Sequence, residues 1–354
     1  MEAIEIKKQR NSNFELLRII AMYMIVLHHC TAHGVFSYVS DNIGMVEHIN
    51  NFLCVFLSSG GKIGVTIFVL ISGYFLSVKE FKIERLLKIY LKMFAYSVLF
   101  LLIALVIGNH YVGGGAFKAS FLPFTYGAYW FITAYLLLYM FSPLLNKILK
   151  YTSPAQVRLY LLICSFLWVI IPTVTHGDFF YSLLLYFFYL YILGAAIRLG
   201  YIKVKQKYLL IAAVIVTIYL IVNILLHLKG QIVNLWSSFK YMELNTIYTL
   251  IMSLCIFNFF SKLNLKYNKF INSVAASTFA VYLIHENTFV REYLWHRMLH
   301  IHTLMCDKLF GLEVILISLA VFTCFVIFDN LFSKLLSPLI DKLIKKAPLM
   351  RSKY

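Results

Sequence analysis

Four ionisable side chains lie inside an apolar run near the start of the chain. The stretch Phe14–Cys30, FELLRIIAMYMIVLHHC, carries Glu15, Arg18, His28 and His29. With its flanks it is long enough to cross a bilayer. A charge near the bilayer centre costs roughly 2.5–3.5 kcal/mol on insertion scales, so such residues face a protein or water-filled interior. Arg18 and His29 are eleven residues apart, which on an α-helix is three turns plus about 20° and about 16 Å of rise. They therefore share one face, one near each end of the span. His28 points about 80° away, and Glu15 sits one turn from Arg18, able to pair with it. Histidine titrates near neutral pH, so His29 can serve as a general base or as a nucleophile. Snorkelling of Arg and His to the two interfaces is the competing explanation, and it accounts for neither the alignment nor the Glu–Arg pair.

A second polar pair ends a later apolar run, Ser277-Thr278-Phe279-Ala280-Val281-Tyr282-Leu283-Ile284-His285-Glu286. A helix entering from the inner side brings His285 and Glu286 to a depth approaching that of His29. Adjacent helical positions diverge by about 100°, which predicts that the two cannot both face the same way. A third polar group, Arg85 and Lys88 beside Lys79 and Lys82, precedes another apolar run. Such a cluster suits phosphate groups, although ordinary anchoring of a membrane helix explains Lys79 and Lys82 equally well.

The elements that must position these residues are helices in a membrane. Of 354 residues, 61% are hydrophobic and 13% charged, and apolar runs of spanning length recur along the chain. The fold class expected is all-α and polytopic. Ten spans are predicted: about 14–31, 61–77, 86–107, 128–145, 158–174, 179–197, 208–228, 244–260, 274–290 and 310–332. With both termini in the cytoplasm, 23 of the 32 Lys and Arg residues fall in inner segments and seven in outer ones, with Arg18 and Lys92 in spans. The net charge of +17 is thus accounted for by topology, without a nucleic-acid partner. The chain reads as a single membrane domain over 1–354, with spans over about 14–332, a basic cytoplasmic tail over 333–354 and no appended soluble domain. His48–Leu57 predicts a short interfacial helix within the outer 32–60 loop, Gly113-Gly114-Gly115 a flexible turn, and Lys334–Lys346 an amphipathic surface helix. The basic residues before the first span imitate a signal peptide, but no small-residue cleavage site follows them. The six cysteines are scattered without metal-ligand spacing, so neither a disulfide framework nor a metal site is expected.

Glu15-Leu16-Leu17-Arg18 followed, after ten intervening residues, by His29 resembles the first-helix signature of the acyltransferase-3 family of integral membrane O-acyltransferases. Further landmarks of that family follow in order. Gly64-Val65-Thr66-Ile67-Phe68 with Ser72-Gly73-Tyr74 is one, with Thr66 where the family usually has an acid, and Arg85-x-x-Lys88 is another, with Lys in place of the family's second Arg. Trp130-Phe131 with Pro143 and the Ser277…Tyr282-Leu283-Ile284-His285 helix complete the set. Two of these landmarks also have plain structural roles, close helix approach at Ser72-Gly73 and an interfacial belt at Trp130-Phe131. The resemblance implies transfer of an acyl group, commonly acetyl from acetyl-CoA, to a hydroxyl of an envelope or exopolysaccharide glycan. The enzyme would be multi-pass in the plasma membrane of a bacterium. It implies that Arg85 and Lys88, with Arg18, hold the acyl-CoA donor. His29 would meet the acceptor, Glu15 would steady Arg18, and His285 or Glu286 would orient His29. Without an extracytoplasmic domain the chain would finish the transfer itself or hand the acyl group to a separate protein. The bilayer, acyl-CoA and the glycan are its expected partners. A competing class is a transporter or flippase for an envelope lipid or sugar, with the same buried residues as a relay; paired half-repeats would mark it, and none is visible. A non-catalytic scaffold would leave the buried polar face without a purpose.

Overall fold

The computed structural model describes residues 11–36, 45–108, 113–177, 180–228 and 240–346. The basic cluster Lys7, Lys8 and Arg10, part of the 32–60 loop, Lys229 and the last eight residues lie outside them. All described regular elements are helical. They run α1 Ser12–Gly34, α2 Met45–Ser58, α3 Gly60–Leu76, α4 Ile83–Val106, α5 Gly114–Phe121, α6 Trp130–Tyr151, α7 Pro154–Ser165 and α8 Ile171–Thr175. Then follow α9 Leu183–Arg198, α10 Gln206–Leu228, α11 Ile247–Lys262, α12 Lys269–His285, α13 Thr288–Glu292 and α14 Phe310–Lys346. Among the described residues, seven helical stretches are long and apolar enough to cross a membrane: 12–34, 46–76, 83–106, 130–151, 154–175, 206–226 and 310–346. The other three expected spans coincide with α9, α11 and α12, which are helices of 16, 16 and 17 residues.

The centre of the bundle is α1, which packs on α2, α3, α12 and α14. Its start is fixed by polar ties. Asn11 caps it, accepting the Asn13 N–H at 3.0 Å. The Asn13 side chain bonds the Leu263 carbonyl and accepts the Leu265 N–H at 2.9 Å. Ser12 Oγ accepts the Asn268 N–H and the Asn272 Nδ2–H, each at 2.9 Å. Asn268 in turn caps α12, accepting the Ile271 N–H at 3.0 Å. These bonds place the first turns of α1 and α12 side by side, with the two helices parallel. Ser12 to His29 and Asn268 to His285 are equal distances along the sequence, about 26 Å at the helical rise. A register set at one end of the bundle thus delivers both histidines to one level at the other.

Close backbone approach does the rest. A Cβ on Gly73 of α3 would collide with the Tyr191 carbonyl of α9, and one on Gly194 of α9 with the Leu70 carbonyl of α3. Each glycine makes room for the other helix's backbone, the role expected of Ser72-Gly73. Within α6, Pro143 leaves the Tyr139 carbonyl without its usual donor, and Ser142 Oγ–H bonds it at 2.7 Å.

Several boundaries differ from the sequence expectation. The ninth span begins at Lys269 and ends at His285 rather than covering 274–290, because the Asn268 cap starts it early and Asn287 starts the next helix. Gly114 and Gly115 open α5 instead of forming a turn. The 48–57 helix extends to Met45–Ser58 and is followed almost directly by α3. The amphipathic tail is not a separate helix: α14 continues through Pro338 to Lys346 over 37 residues. At about 55 Å it exceeds the roughly 30 Å hydrocarbon core.

Between α4 and α14 lies a charged pair that sequence reasoning left unread. Lys92 Nζ is 2.8 Å from Asp329 Oδ1. The same carboxylate accepts Tyr96 Oη–H at 2.7 Å and Ser333 Oγ–H at 2.7 Å, and Asp329 is 2% exposed. Removing one member of a buried pair leaves an uncompensated charge and costs about 3–5 kcal/mol, whereas replacing both by apolar groups is near neutral. Asp329→Leu should therefore lower the thermal midpoint in detergent sharply, and Lys92→Met added to it should restore most of the loss. Equal stability of the single variant and the parent would show that the pair holds nothing together.

Candidate active site

At the far end of α1 three histidines line up. His29 and His33 are one turn apart with ring centroids 5.0 Å apart, and the His285 ring lies 5.0 Å from that of His29. His28 turns away, as its helical phase predicts. Its Nδ1–H donates to the Ser58 carbonyl at 2.7 Å, and Gly61 leaves the space its ring fills. It secures the α2–α3 junction.

The bonds around His29 fix its protons. His285 Nδ1 lies 2.5 Å from the Val281 carbonyl, which can only accept. His285 therefore carries its proton on Nδ1, and its Nε2 holds a lone pair. His29 Nδ1 sits 2.8 Å from that Nε2, so His29 is the donor and its own lone pair lies on Nε2. This arrangement orients an imidazole as a general base, with the second ring in the place a carboxylate takes in a catalytic triad.

Glu286 joins the same atom. Its Oε2 is 2.9 Å from His29 Nδ1, its Oε1 is 2.9 Å from Arg291 Nη1 and 3.9 Å from His33 Nε2. This corrects the expectation that His285 and Glu286 could not both face His29. Glu286 is the C-cap residue of α12, with φ −93° and ψ −5°, so its longer side chain departs from the helical end and curls back beside the imidazole. The turn is held by Asn287, which accepts the Phe289 N–H at 3.1 Å and donates Nδ2–H to Tyr129 Oη at 2.8 Å. That turn also brings Arg291 back to neutralise Glu286. At the rim, Lys62 Nζ lies 5.4 Å above the Trp130 ring and 3.8 Å from Glu243 Oε2. The donor atoms of His29, His285 and Glu286 all fall within 4.8 Å of one another, a set that could also hold a metal ion. They come from two helices, so no spacing in the sequence displays the set.

The other site residues expected from the sequence gather at the opposite end. Glu15 is buried and pairs with Arg18, and the Arg18 guanidinium lies 5.9 Å from the centre of the Phe75 ring. Lys79 lies 5.6 Å from that same ring, Arg85 5.4 Å from Tyr139, and Arg198 4.9 Å from Tyr74. Lys88 is engaged by Asp341 of α14 at 2.7 Å, an exposed pair. The structure thus joins His29, His285 and Glu286 in one cluster and leaves Glu15, Arg18, Arg85 and Lys88 at the other end of the bundle. Arg291, His33, Asn287 and Tyr129 belong to the first cluster and were not singled out by sequence reasoning. Arg291 reads there as one more loop cation, and nothing in its neighbourhood signals the return to Glu286.

A family model described as an acyltransferase domain, that of the acyltransferase-3 family, matches residues 11–329. That match takes in every residue of both clusters except Asp341, and the chain belongs to this family. No curated protein and no solved structure matches the chain.

The proton assignment can be read directly. With 15N-labelled histidine in detergent-solubilised protein, the resonance pair lost in His29→Ala should show a protonated Nδ1 and an unprotonated Nε2. A proton on Nε2 would reverse the assigned bond direction.

Proposed function

We propose that this acyltransferase-3 protein is an O-acyltransferase of the plasma membrane. In this reading it moves an acyl group, acetyl in the first instance, from cytoplasmic acyl-CoA to a hydroxyl of an envelope or exopolysaccharide glycan. The observation that carries the reading is the His29–His285 pair, two imidazoles from separate helices joined so that one lone pair, on His29 Nε2, is left for a proton. Acyl transfer to a hydroxyl needs such a base. The acceptor approaches His29 from the end of the bundle where Lys62, Trp130 and Arg291 lie.

The donor enters at the other end. Its phosphates take Arg85, Lys88 and Arg18 as partners, with Asp341 yielding Lys88 to them. Such an exchange is cheap, because an exposed ion pair contributes at most about 1 kcal/mol. Cations spread over aromatic faces suit a phosphate-bearing head, and Arg offers the bidentate fork that Lys lacks. The pantetheine arm then runs up the bundle and presents the thioester to His29. His29 Nε2 takes the hydroxyl proton, the acceptor oxygen attacks the carbonyl, and the coenzyme A sulfur leaves with that proton.

His28 is the internal control, with the same chemistry one residue away and a different face. His29→Ala should lower glycan acylation about 10²–10⁴-fold, the usual contribution of a general base, with near-normal protein levels. His28→Ala should retain substantial activity. A transporter would instead lose export of the whole glycan rather than its acyl decoration. Normal acylation in His29→Ala would remove the proposed base.

A further inference from the structure

Around the first turn of α6 the structure leaves hydrogen-bonding groups unspent, and this turn faces α12, the helix that carries His285. The end of α6 is buried, with Tyr129, Phe131 and Ile132 all inside. Tyr129 at the N-cap makes no side-chain bond to the helix. The intrahelical ladder starts with the Thr133 N–H on the Tyr129 carbonyl at 2.9 Å, so the amides of Trp130, Phe131 and Ile132 precede it. A buried helix end of this kind calls for an acceptor, and its dipole favours a negative one. Thr133 Oγ1, in the same turn, is buried without a partner.

Facing this turn is Tyr282 of α12. Its hydroxyl is buried with no acceptor for its proton, and the residue is 1% exposed. A buried phenol normally finds a partner. The ring lies 5.6 Å from that of Phe131, 6.4 Å from that of Tyr129 and 5.9 Å from that of His285. Its oxygen lies against the Phe131 backbone N–H, so the phenol proton is the one left to give. Tyr282 shares a helical face with His285 and Glu286, three and four residues on. The Asn287–Tyr129 bond pins the α6 terminus to the same helix.

A donor without an acceptor, set one turn from the His285 that orients the base, matches the charge that develops in acyl transfer. We propose that the Tyr282 hydroxyl, backed by the first turn of α6, holds the oxyanion of the tetrahedral intermediate. The inference rests on the acyl-transfer reading. The acceptor oxygen forms a bond to the thioester carbonyl carbon as His29 Nε2 takes its proton, and the carbonyl π pair moves onto oxygen. Tyr282 Oη–H bonds that oxygen. The pair then returns to re-form C=O, the C–S bond breaks, and the thiolate takes the proton from His29, leaving ester and free thiol.

Tyr282→Phe removes the hydroxyl and keeps the ring. With purified protein, acetyl-CoA and an acceptor glycan, kcat should fall about 10²–10³-fold, the loss typical of one oxyanion donor. KM for acetyl-CoA and the thermal midpoint should stay near those of the parent, since a contact made only in the transition state moves kcat alone. Fluorotyrosines placed at position 282 should shift kcat with the acidity of the phenol, a response that a packing role would not give. If His29→Ala is inactive while Tyr282→Phe turns over normally, the acyl-transfer reading stands and this inference falls. If His29→Ala is itself fully active, the base is elsewhere and the inference falls with it. A lowered kcat that ignores the acidity series would also overturn it.

Discussion

The hydrogen bond between His29 and His285 depends on a register fixed at the far end of two parallel helices. Both imidazoles are buried, so the pair exists only if both rings reach one level from separate segments. Ser12, Asn13, Asn268 and Asn272 make that happen by tying the first turns of α1 and α12 together. The glycine contacts between α3 and α9 then hold the neighbouring layer close. Positioning in this protein is thus a matter of polar knots at helix ends, with rigid helices carrying the alignment across the bundle.

The same economy governs charge. Glu15 pairs with Arg18, Lys92 with Asp329, and Glu286 with Arg291, so each of these buried carboxylates carries a cation. Glu15–Arg18 is local, one turn apart on a single helix. Lys92–Asp329 joins two helices. Glu286–Arg291 spans a turn and leaves the carboxylate's second oxygen beside His29. Arg291 holds one oxygen of that carboxylate, and His285 offers its Nε2 lone pair to His29 Nδ1–H at 2.8 Å.

Much of this was legible in the chain. The eleven-residue interval from Arg18 to His29, the Glu15–Arg18 pair and the divergence of His28 are consequences of helical geometry, and the structure has them as read. What was missed depends on contacts that no local pattern carries. Asp329 sits within an apolar run, where no local pattern marks it, and only Lys92, on α4, gives it meaning. Glu286 escapes the helical phase because the helix stops beneath it, and that stop comes from Asn287, which the sequence reading places inside the ninth span. The expected surface helix over 334–346 is the end of α14, because the helix that crosses the membrane continues without a break through Pro338. Arg291 and the uncapped start of α6 become visible only when α12 and α6 are seen side by side.

In the proposed function the two clusters at opposite ends of the bundle receive donor and acceptor from opposite sides. Protein reconstituted in vesicles with a known orientation puts this to the test, using acetyl-CoA and an acceptor glycan each confined to one compartment. Acetylation should occur when acetyl-CoA is on the side of Arg85 and the glycan on the side of Arg291. Transfer that takes place only when both substrates share a compartment would contradict the account.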